Sequence, residues 1–317
     1  MLSSAIAATG LRKAYKDKTV LDGIDLDVRA GTVFSLLGPN GAGKTTTVNL
    51  LTTLLAPDAG RIVVAGHDVA TEPRAVRKAI GVTGQFAAVD ELLTGEENLL
   101  MMAKLLHLPK AEGKRIAERL LARFDIAEAA AKPVATYSGG MRRKLDLAMT
   151  LVSRPQIIFL DEPTTGLDPR SRLTLWEIVR ELVAEGMTIF LTTQYLEEAD
   201  KLADRVAVLD QGRLVAEGTP SELKRLVPGS HIQLRFRDQH ELDAAALALH
   251  ESTKDDDALC LRVPGDGGVK SFRTLLARLD EHSVDVEDMS VHTPDLDDVF
   301  LALTGNANKE NKAVNAR

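Results

Sequence analysis

The spacing of apolar residues divides this chain into stretches of different period. Alternation dominates the N-terminal part: in Ile24-Asp25-Leu26-Asp27-Val28 every second side chain faces one way, and glycines separate such runs. That period predicts antiparallel strands with one solvated face, set around one continuous apolar strand, Val33 to Leu37. From there to about Leu209, strands alternate with helical segments. Ile157-Ile158-Phe159-Leu160 and Thr188-Ile189-Phe190-Leu191 are uninterrupted apolar runs, as expected of parallel strands covered on both faces. Between about Gln85 and Tyr137 amphipathic helical periods such as Glu112 to Phe124 replace any strand pattern, which predicts a helical insertion. Arg205 to Leu209 and Arg213 to Ala216, joined by Asp210-Gln211-Gly212, read as a hairpin, because those turn residues tolerate positive φ.

From near Pro228 the pattern is α+β: strands at Ile232 to Phe236, Ala258 to Val263 and Val284 to Val291, with helices at Leu242 to His250 and Val269 to His282. Thr293-Pro294-Asp295 carries a capping hydroxyl, a proline at the first helical position and an acid near the dipole's positive end, so it starts a last helix. The expected organisation is an α/β domain over 1–225 with a helical subdomain at about 86–150, a small α+β domain over 226–305, and a disordered tail over 306–317.

Composition narrows the function only by exclusion. With 44% hydrophobic and 27% charged residues in 317, the chain is an ordinary globular protein. A net charge of -7 speaks against nonspecific binding to nucleic acid or anionic lipid. The single Cys260 can form no internal disulfide, and Met1 leads into no charged-then-apolar signal segment, which fits a reducing cytoplasm. No stretch reaches the roughly 18 apolar residues of a membrane-spanning helix, so any membrane role runs through another polypeptide.

The chemistry sits in short motifs. Gly38-Pro39-Asn40-Gly41-Ala42-Gly43-Lys44-Thr45 fits G-x-x-x-x-G-K-S/T, follows an apolar strand and opens a helix. Glycines let successive backbone N–H groups curl around phosphate oxygens, and the helix N-terminus adds partial positive charge. Lys44 is placed to reach β- and γ-phosphates, and the Thr45 hydroxyl to help hold Mg²⁺. Asp161 ends an apolar strand, at the edge where open α/β sheets bind ligands, and can orient the water shell of magnesium. Glu162, the next residue, is a candidate to polarise an attacking water. Ser138-Gly139-Gly140 precedes a helical pattern and forms a second phosphate-type helix start without its own lysine; taken alone it is also an ordinary helix cap.

In this order the Lys44 loop, Gln85, Ser138-Gly139-Gly140, the strand Ile157 to Glu162, Gly166-Leu167-Asp168 and the strand ending at Gln194 resemble the nucleotide-binding domain of an ABC transporter, a P-loop ATPase fold with a mixed core sheet, an antiparallel β subdomain and a helical subdomain. The resemblance implies two such domains sandwiching two ATP, each held by the phosphate loop, including Thr46, of one copy and the Ser138 segment of the other. It further implies that Gln85 touches magnesium or water and that the loop from Phe86 onward signals to a membrane partner. Asp168 would cross between the copies, and Tyr15 would stack on adenine or else stand as a plain strand-surface aromatic.

Val82-Thr83-Gly84-Gln85-Phe86, Met141-Arg142-Arg143-Lys144-Leu145-Asp146 and Leu296-Asp297-Asp298-Val299-Phe300-Leu301-Ala302-Leu303 resemble, more narrowly, the daunorubicin-resistance type of ATPase subunit. That type pairs with a separate ABC-2 type permease at the cytoplasmic face of the membrane and exports drugs, antibiotics or lipids. One departure from most of the wider family is Gln194 where His is usual. An amide can donate to a γ-phosphate and cannot gain a proton, so this position is expected to add no ionisation to an active ATPase. The competing classes are a soluble clamp on ribosomes or DNA, disfavoured by one motif set and no sustained heptads, and a non-hydrolysing regulatory module. His67, His107 and His282 have no zinc-like spacing.

Overall fold

The computed structural model describes residues 4–16, 18–226, 231–249, 252–265, 269–282, 284–292 and 294–303. Pro228, His250, Thr293 and the tail 306–317 lie outside them. Contacts divide the chain into two units, Met1–Pro220 and Ser221–Arg317.

In the first unit the strands are β1 (Ser4–Tyr15), β2 (Lys18–Arg29), β3 (Val33–Leu37), β4 (Ala59–Val64), β5 (His67–Asp68), β6 (Ile80–Thr83), β7 (Ile157–Asp161), β8 (Thr188–Thr193), β9 (Arg205–Asp210) and β10 (Arg213–Gly218). The helices are α1 (Lys44–Leu51), α2 (Pro73–Ala79), α3 (Gly95–Leu105), α4 (Lys110–Arg123), α5 (Gly139–Thr150), α6 (Pro169–Ala184), α7 (Leu196–Leu202) and α8 (Pro220–Lys224), the last running into the second unit. Two sheets result, an antiparallel one ordered β2-β1-β4-β5 and a six-stranded one ordered β10-β9-β3-β8-β7-β6.

Here the structure corrects one expectation. Val33–Leu37 is not the centre of the antiparallel strands; it pairs in parallel with β8 and β9. The cause is the crossover that follows it, since a strand feeding a helix returns to a parallel neighbour. All five of its residues are buried, the pattern of a strand covered on both faces.

Register in the larger sheet is pinned by aromatic pairs. Phe34 faces Phe190 across β3 and β8, and Phe190 faces Phe159 across β8 and β7, with ring centroids 5.6 and 5.5 Å apart. That register brings Leu37, Thr193 and Asp161 to the same C-terminal edge. A slip by one residue would turn all three rings to the opposite face. The β9–β10 hairpin turns through Gln211 and Gly212, with φ of 46° and 78°, the two positive values that a tight primed turn requires. Between β6 and β7 the chain runs through α3, α4 and α5. The cap of α3 is reciprocal: Thr94 Oγ1 accepts from the Glu97 N–H, and Glu97 accepts from the Thr94 N–H.

The second unit holds β11 (His231–Arg235), α9 (Gln239–Ala248), β12 (Thr253–Asp255), β13 (Cys260–Pro264), α10 (Val269–Glu281) and β14 (Asp288–His292) in one antiparallel sheet ordered β12-β13-β11-β14. This is the βαββαβ arrangement of ferredoxin-like folds. Ile232, Leu234, Leu242, Ala245, Leu261, Leu275 and Leu279 form its core. Two expected strands are shorter than their apolar patterns: Val284 is buried yet precedes β14, and Ala258 lies in the turn before β13, its N–H donating to Asp255. A helix spans 296–303.

Candidate active site

The loop between β3 and α1 is shaped by what its glycines lack. A Cβ on Gly38 would fall 2.2 Å from the Leu209 carbonyl oxygen, and one on Gly43 would press to 2.7 Å from Leu21 Cδ2 at a φ of 114°. Only glycine fits either position. The Gly38 N–H donates to the Thr193 carbonyl at 3.2 Å, tying the loop to the end of β8. Pro39 and Ala42 shape the loop from within: the Pro39 carbonyl accepts from the Ala42 N–H at 3.3 Å, and the Ala42 carbonyl accepts from the Gly212 N–H at 3.2 Å. Lys44, 4% exposed, donates to the Gly38 carbonyl at 2.8 Å and the Pro39 carbonyl at 3.1 Å, and its Nζ lies 3.2 Å from Glu162 Oε1.

A cleft of about 370 Å³ opens above this loop. It is lined by Asn40, Gly41, Gly43, Lys44, Thr45 and Thr46 of the loop and α1, by Gln85 and Glu162, and by Lys18 and Val20 of β2. The lining includes Lys44, Thr45 and Thr46, the first three residues of α1, whose N–H groups precede the first intrahelical bond, and so brings an ammonium and two threonine hydroxyls. This is an anion cradle, and the donor set fits a polyphosphate.

Two adjacent acids at the end of β7 stand differently toward the cradle. Asp161 is buried, and its Oδ1 accepts from the Thr192 hydroxyl at 2.5 Å. Glu162 stands at φ 48°, a left-handed conformation that costs a non-glycine residue about 1–3 kcal/mol. Its N–H is held by the Thr192 carbonyl at 3.0 Å and the Thr192 hydroxyl at 3.1 Å, while the Thr165 hydroxyl donates to Oε2 at 3.3 Å. The reversal turns the Glu162 carboxylate back toward Lys44 and leaves Asp161 outside the lining. Asp161, a carboxylate acceptor, and Thr45, a hydroxyl in the cleft lining, are residues whose chemistry suits a hard cation on the phosphates. Gln194 is half-buried directly after β8, beside the carbonyl that holds Gly38.

A second group assembles elsewhere on the same chain. Ser138 and Gly139 are exposed at the start of α5, where Ser138 Oγ accepts from the Met141 N–H at 3.2 Å. Gly140 is pressed by α6: a Cβ on it would meet Ser171 Oγ at 2.5 Å. Ser171 donates through its N–H to Asp168 Oδ1 at 3.0 Å and through its hydroxyl to Oδ2 at 2.6 Å. Those bonds cap α6 and hold the Asp168 carboxyl below the usual carboxylate range. Ser138, Gly139, Gly140 and Asp168 therefore lie close together, and none of them lines the phosphate cleft. Tyr15 is 47% exposed at the end of β1, with Lys13 Nζ 5.7 Å from its ring centre. Its backbone pairs with Lys18, which places it beside the cleft rather than among its lining residues.

Three buried charged residues, two of them inside the motif Met141 to Asp146, have structural roles that the sequence did not assign. The Arg143 guanidinium, from α5, donates to the carbonyls of Gly84 (2.6 Å), Pro163 (2.9 Å) and Asp161 (3.4 Å) and to Asp146 Oδ2 (3.3 Å). It thus ties the residue before Gln85 to those flanking Glu162. Asp146 accepts from the Ala88 N–H at 3.1 Å; burial raises its pKa to about 6 against the pull of that bond and of Arg143. Glu198, on α7, is fully buried and accepts from the Trp176 indole at 3.1 Å. Burial raises its pKa as well, opposed by the neighbouring Thr193, Trp176 and Thr164 side chains and the Arg172 charge; of these only the Trp176 indole makes a hydrogen bond of good geometry, and Glu198 Oε2 has no hydrogen-bond partner among the described residues. Sequence carried one signal for it: 198, 199 and 202 share the buried helical period of α7, whereas Glu197 is exposed.

Residues 21–165 match the family model described as ABC transporter. The daunorubicin resistance ATP-binding protein DrrA3 of Streptomyces coeruleorubidus is 50% identical, over 99% of this chain and 100% of that protein. The linearmycin resistance ATP-binding protein LnrL of Bacillus subtilis (strain 168) is 34% identical, over 95% and 98%. Among solved structures, an ATP-binding subunit of an ABC transporter superposes with a TM-score of 0.63 at 30% identity, covering 70% of this chain and 93% of that one. Among the described residues, no helix is long and apolar enough to cross a membrane.

Proposed function

This chain belongs to the ABC transporter family as an ATP-binding and ATP-hydrolysing subunit of the drug-resistance exporter type, and from that premise we propose how it works. Two copies close face to face on two ATP. The phosphate loop of one copy grips each triphosphate, and the Ser138-Gly139-Gly140 helix start of the other covers it, with Asp168 reaching across. The observation that carries this reading is the separation of the two anion-type groups on one chain: the Lys44 cleft has no share of the Ser138 cluster in its lining. A second copy supplies it.

Within that sandwich Lys44 leaves Glu162 for the β- and γ-phosphate oxygens, exchanging one anionic partner for another at little desolvation cost. Glu162, released, orients and deprotonates the attacking water. Gln194 donates its amide N–H to the γ-phosphate, and Tyr15 stacks on the adenine. Thr45, Asp161 and Gln85 would hold Mg²⁺, which when bound would offset the negative charge of the phosphates.

Closure works on a separately encoded ABC-2 type permease at the cytoplasmic face of the membrane. The loop after Gln85 supplies the contact, with Phe86 85% and Leu92 90% exposed. The cargo class is an amphiphilic drug, antibiotic or lipid-like molecule, as the names of the daunorubicin and linearmycin relatives suggest. The test is co-purification from membranes with the product of the adjacent permease gene. Phe86→Ala with Leu92→Ala is expected to abolish it while ATP binding persists; undiminished association would place the contact elsewhere.

A further inference from the structure

Gln194 and Asp168 leave the sheet edge on different segments, yet one side chain touches the structure behind both. Glu198 is 0% exposed. Its Oε1 accepts from Trp176 Nε1 of α6, the helix that Asp168 caps. Around it stand Thr193, which immediately precedes Gln194, and Thr164, in the loop between Glu162 and Asp168. Arg172, one turn before Trp176 on α6, lies with its guanidinium 5.2 Å from the ring centre of Tyr195, the residue after Gln194. The Tyr195 N–H in turn donates to the Thr193 hydroxyl at 3.0 Å.

Two residues at i and i+4 on α6 thus grip the segment around Gln194 at Tyr195 and Glu198. An amide in place of an imidazole makes such a grip more consequential. Gln has one more rotatable bond than His, and only one of its two terminal atoms donates, so its orientation must be imposed from outside.

We propose that Glu198, with Trp176 and Arg172 of α6, is a positioning residue for hydrolysis: it locks the Gln194 segment to the helix that begins at Asp168, so that a partner copy engaging Asp168 sets the Gln194 amide against the γ-phosphate. Glu198 is fully buried and does not line the phosphate cleft. It acts through its bond to Trp176 of α6, beside the Arg172–Tyr195 contact. The inference rests on the sandwich reading above.

The chain has a single tryptophan, so indole emission reports this junction alone. The test uses the full chain with MgATP, in four forms: unaltered, Glu198→Gln, Glu198→Ala and Trp176→Phe. Glu198→Gln keeps an oxygen for the indole and replaces the carboxyl group near Arg172 by an amide. It is expected to leave KM for ATP within about twofold while kcat falls ~10-fold or more, the pattern of a misplaced reacting group. Trp176→Phe, which keeps an aromatic ring in the core, is expected to lower kcat in the same direction with KM unchanged. MgATP is expected to shift the Trp176 emission of the unaltered protein and not that of Glu198→Ala.

Unchanged kcat in Glu198→Gln would overturn the proposal. So would joint loss of KM, kcat and the melting transition in both Glu198→Gln and Trp176→Phe, which would assign the cluster to core stability alone. If the unaltered protein failed to hydrolyse ATP, the sandwich reading itself would fall, an outcome distinct from either.

Discussion

Lys44 Nζ and Glu162 Oε1 form an ion pair at 3.2 Å, with side chains 4% and 7% exposed. A buried pair of this kind holds both groups ready while neutralising each, and a triphosphate offers the ammonium a stronger anionic partner. Glu162→Gln keeps the shape and removes the competing charge. MgATP binding is expected to stay as tight or become tighter, while turnover falls by at least ~10²-fold, the usual scale for a lost general base. Equilibrium binding and single-turnover hydrolysis on the same preparation separate the two; turnover equal to that of the unaltered protein would remove Glu162 from the chemistry.

Adjacent glycines at the start of α5 are expected to respond oppositely to alanine. Gly140→Ala places a Cβ 2.5 Å from Ser171 Oγ, so it should lower stability by about 1–3 kcal/mol. Gly139→Ala meets only Leu167 at 3.9 Å and should change stability by less than about 0.5 kcal/mol. Its Cβ instead occupies the exposed approach to the helix start, so turnover should fall in a protein that melts normally. Normal turnover in Gly139→Ala would detach the Ser138 segment from the nucleotide.

Asp146 gives a pH signature with a definite sign. Burial raises its pKa in the folded chain to about 6, above the ordinary aspartate value of 3.8, so between those values folding takes up a proton. Stability contributed by this group therefore increases as pH falls through about 6 and is lost again as pH rises through it. The full effect is at most about 3 kcal/mol, since a tenfold gain in proton affinity on folding corresponds to about 1.4 kcal/mol. The stability of the unaltered protein minus that of Asp146→Asn, measured by denaturant unfolding, should rise between pH 7.5 and pH 5. A difference independent of pH would contradict a carboxyl that burial drives toward its neutral form.

Position 194 gives the complementary expectation. A primary amide does not titrate near neutrality, so the pH profile of kcat should show no inflection that Gln194→Ala removes. An inflection near neutral pH that vanished in Gln194→Ala would mean that the position acts through a proton.

What was legible in the sequence follows the range of each interaction. The segment Gly38 to Thr45 could be read because its residues are contiguous and the strand and helix that flank it carry their own periods. The β9–β10 hairpin was legible for the same local reason. The sheet partners of Val33–Leu37 were not, since a short apolar run states burial and says nothing of which strands lie beside it. The role of Arg143 was hidden although its motif was not, because three of its four partners are backbone carbonyls 18 to 59 residues away, and carbonyls leave no mark on side-chain identity. The cap at Asp168 obeys the hydroxyl-or-acid-then-proline rule applied at Thr293-Pro294, yet the resemblance drew attention to a role across copies instead. In the second unit, β12 is three residues of exposed or half-buried polar chain, too short and too polar for any period to show.

The most direct measurement is the mass of the hydrolysis-blocked Glu162→Gln chain in solution, by sedimentation or light scattering, with and without MgATP. Monomer without nucleotide and dimer with it, the dimer lost in both Lys44→Ala and Gly139→Ala, is the expected result. A mass indifferent to MgATP, in a preparation shown to bind it, would contradict the shared site between two copies.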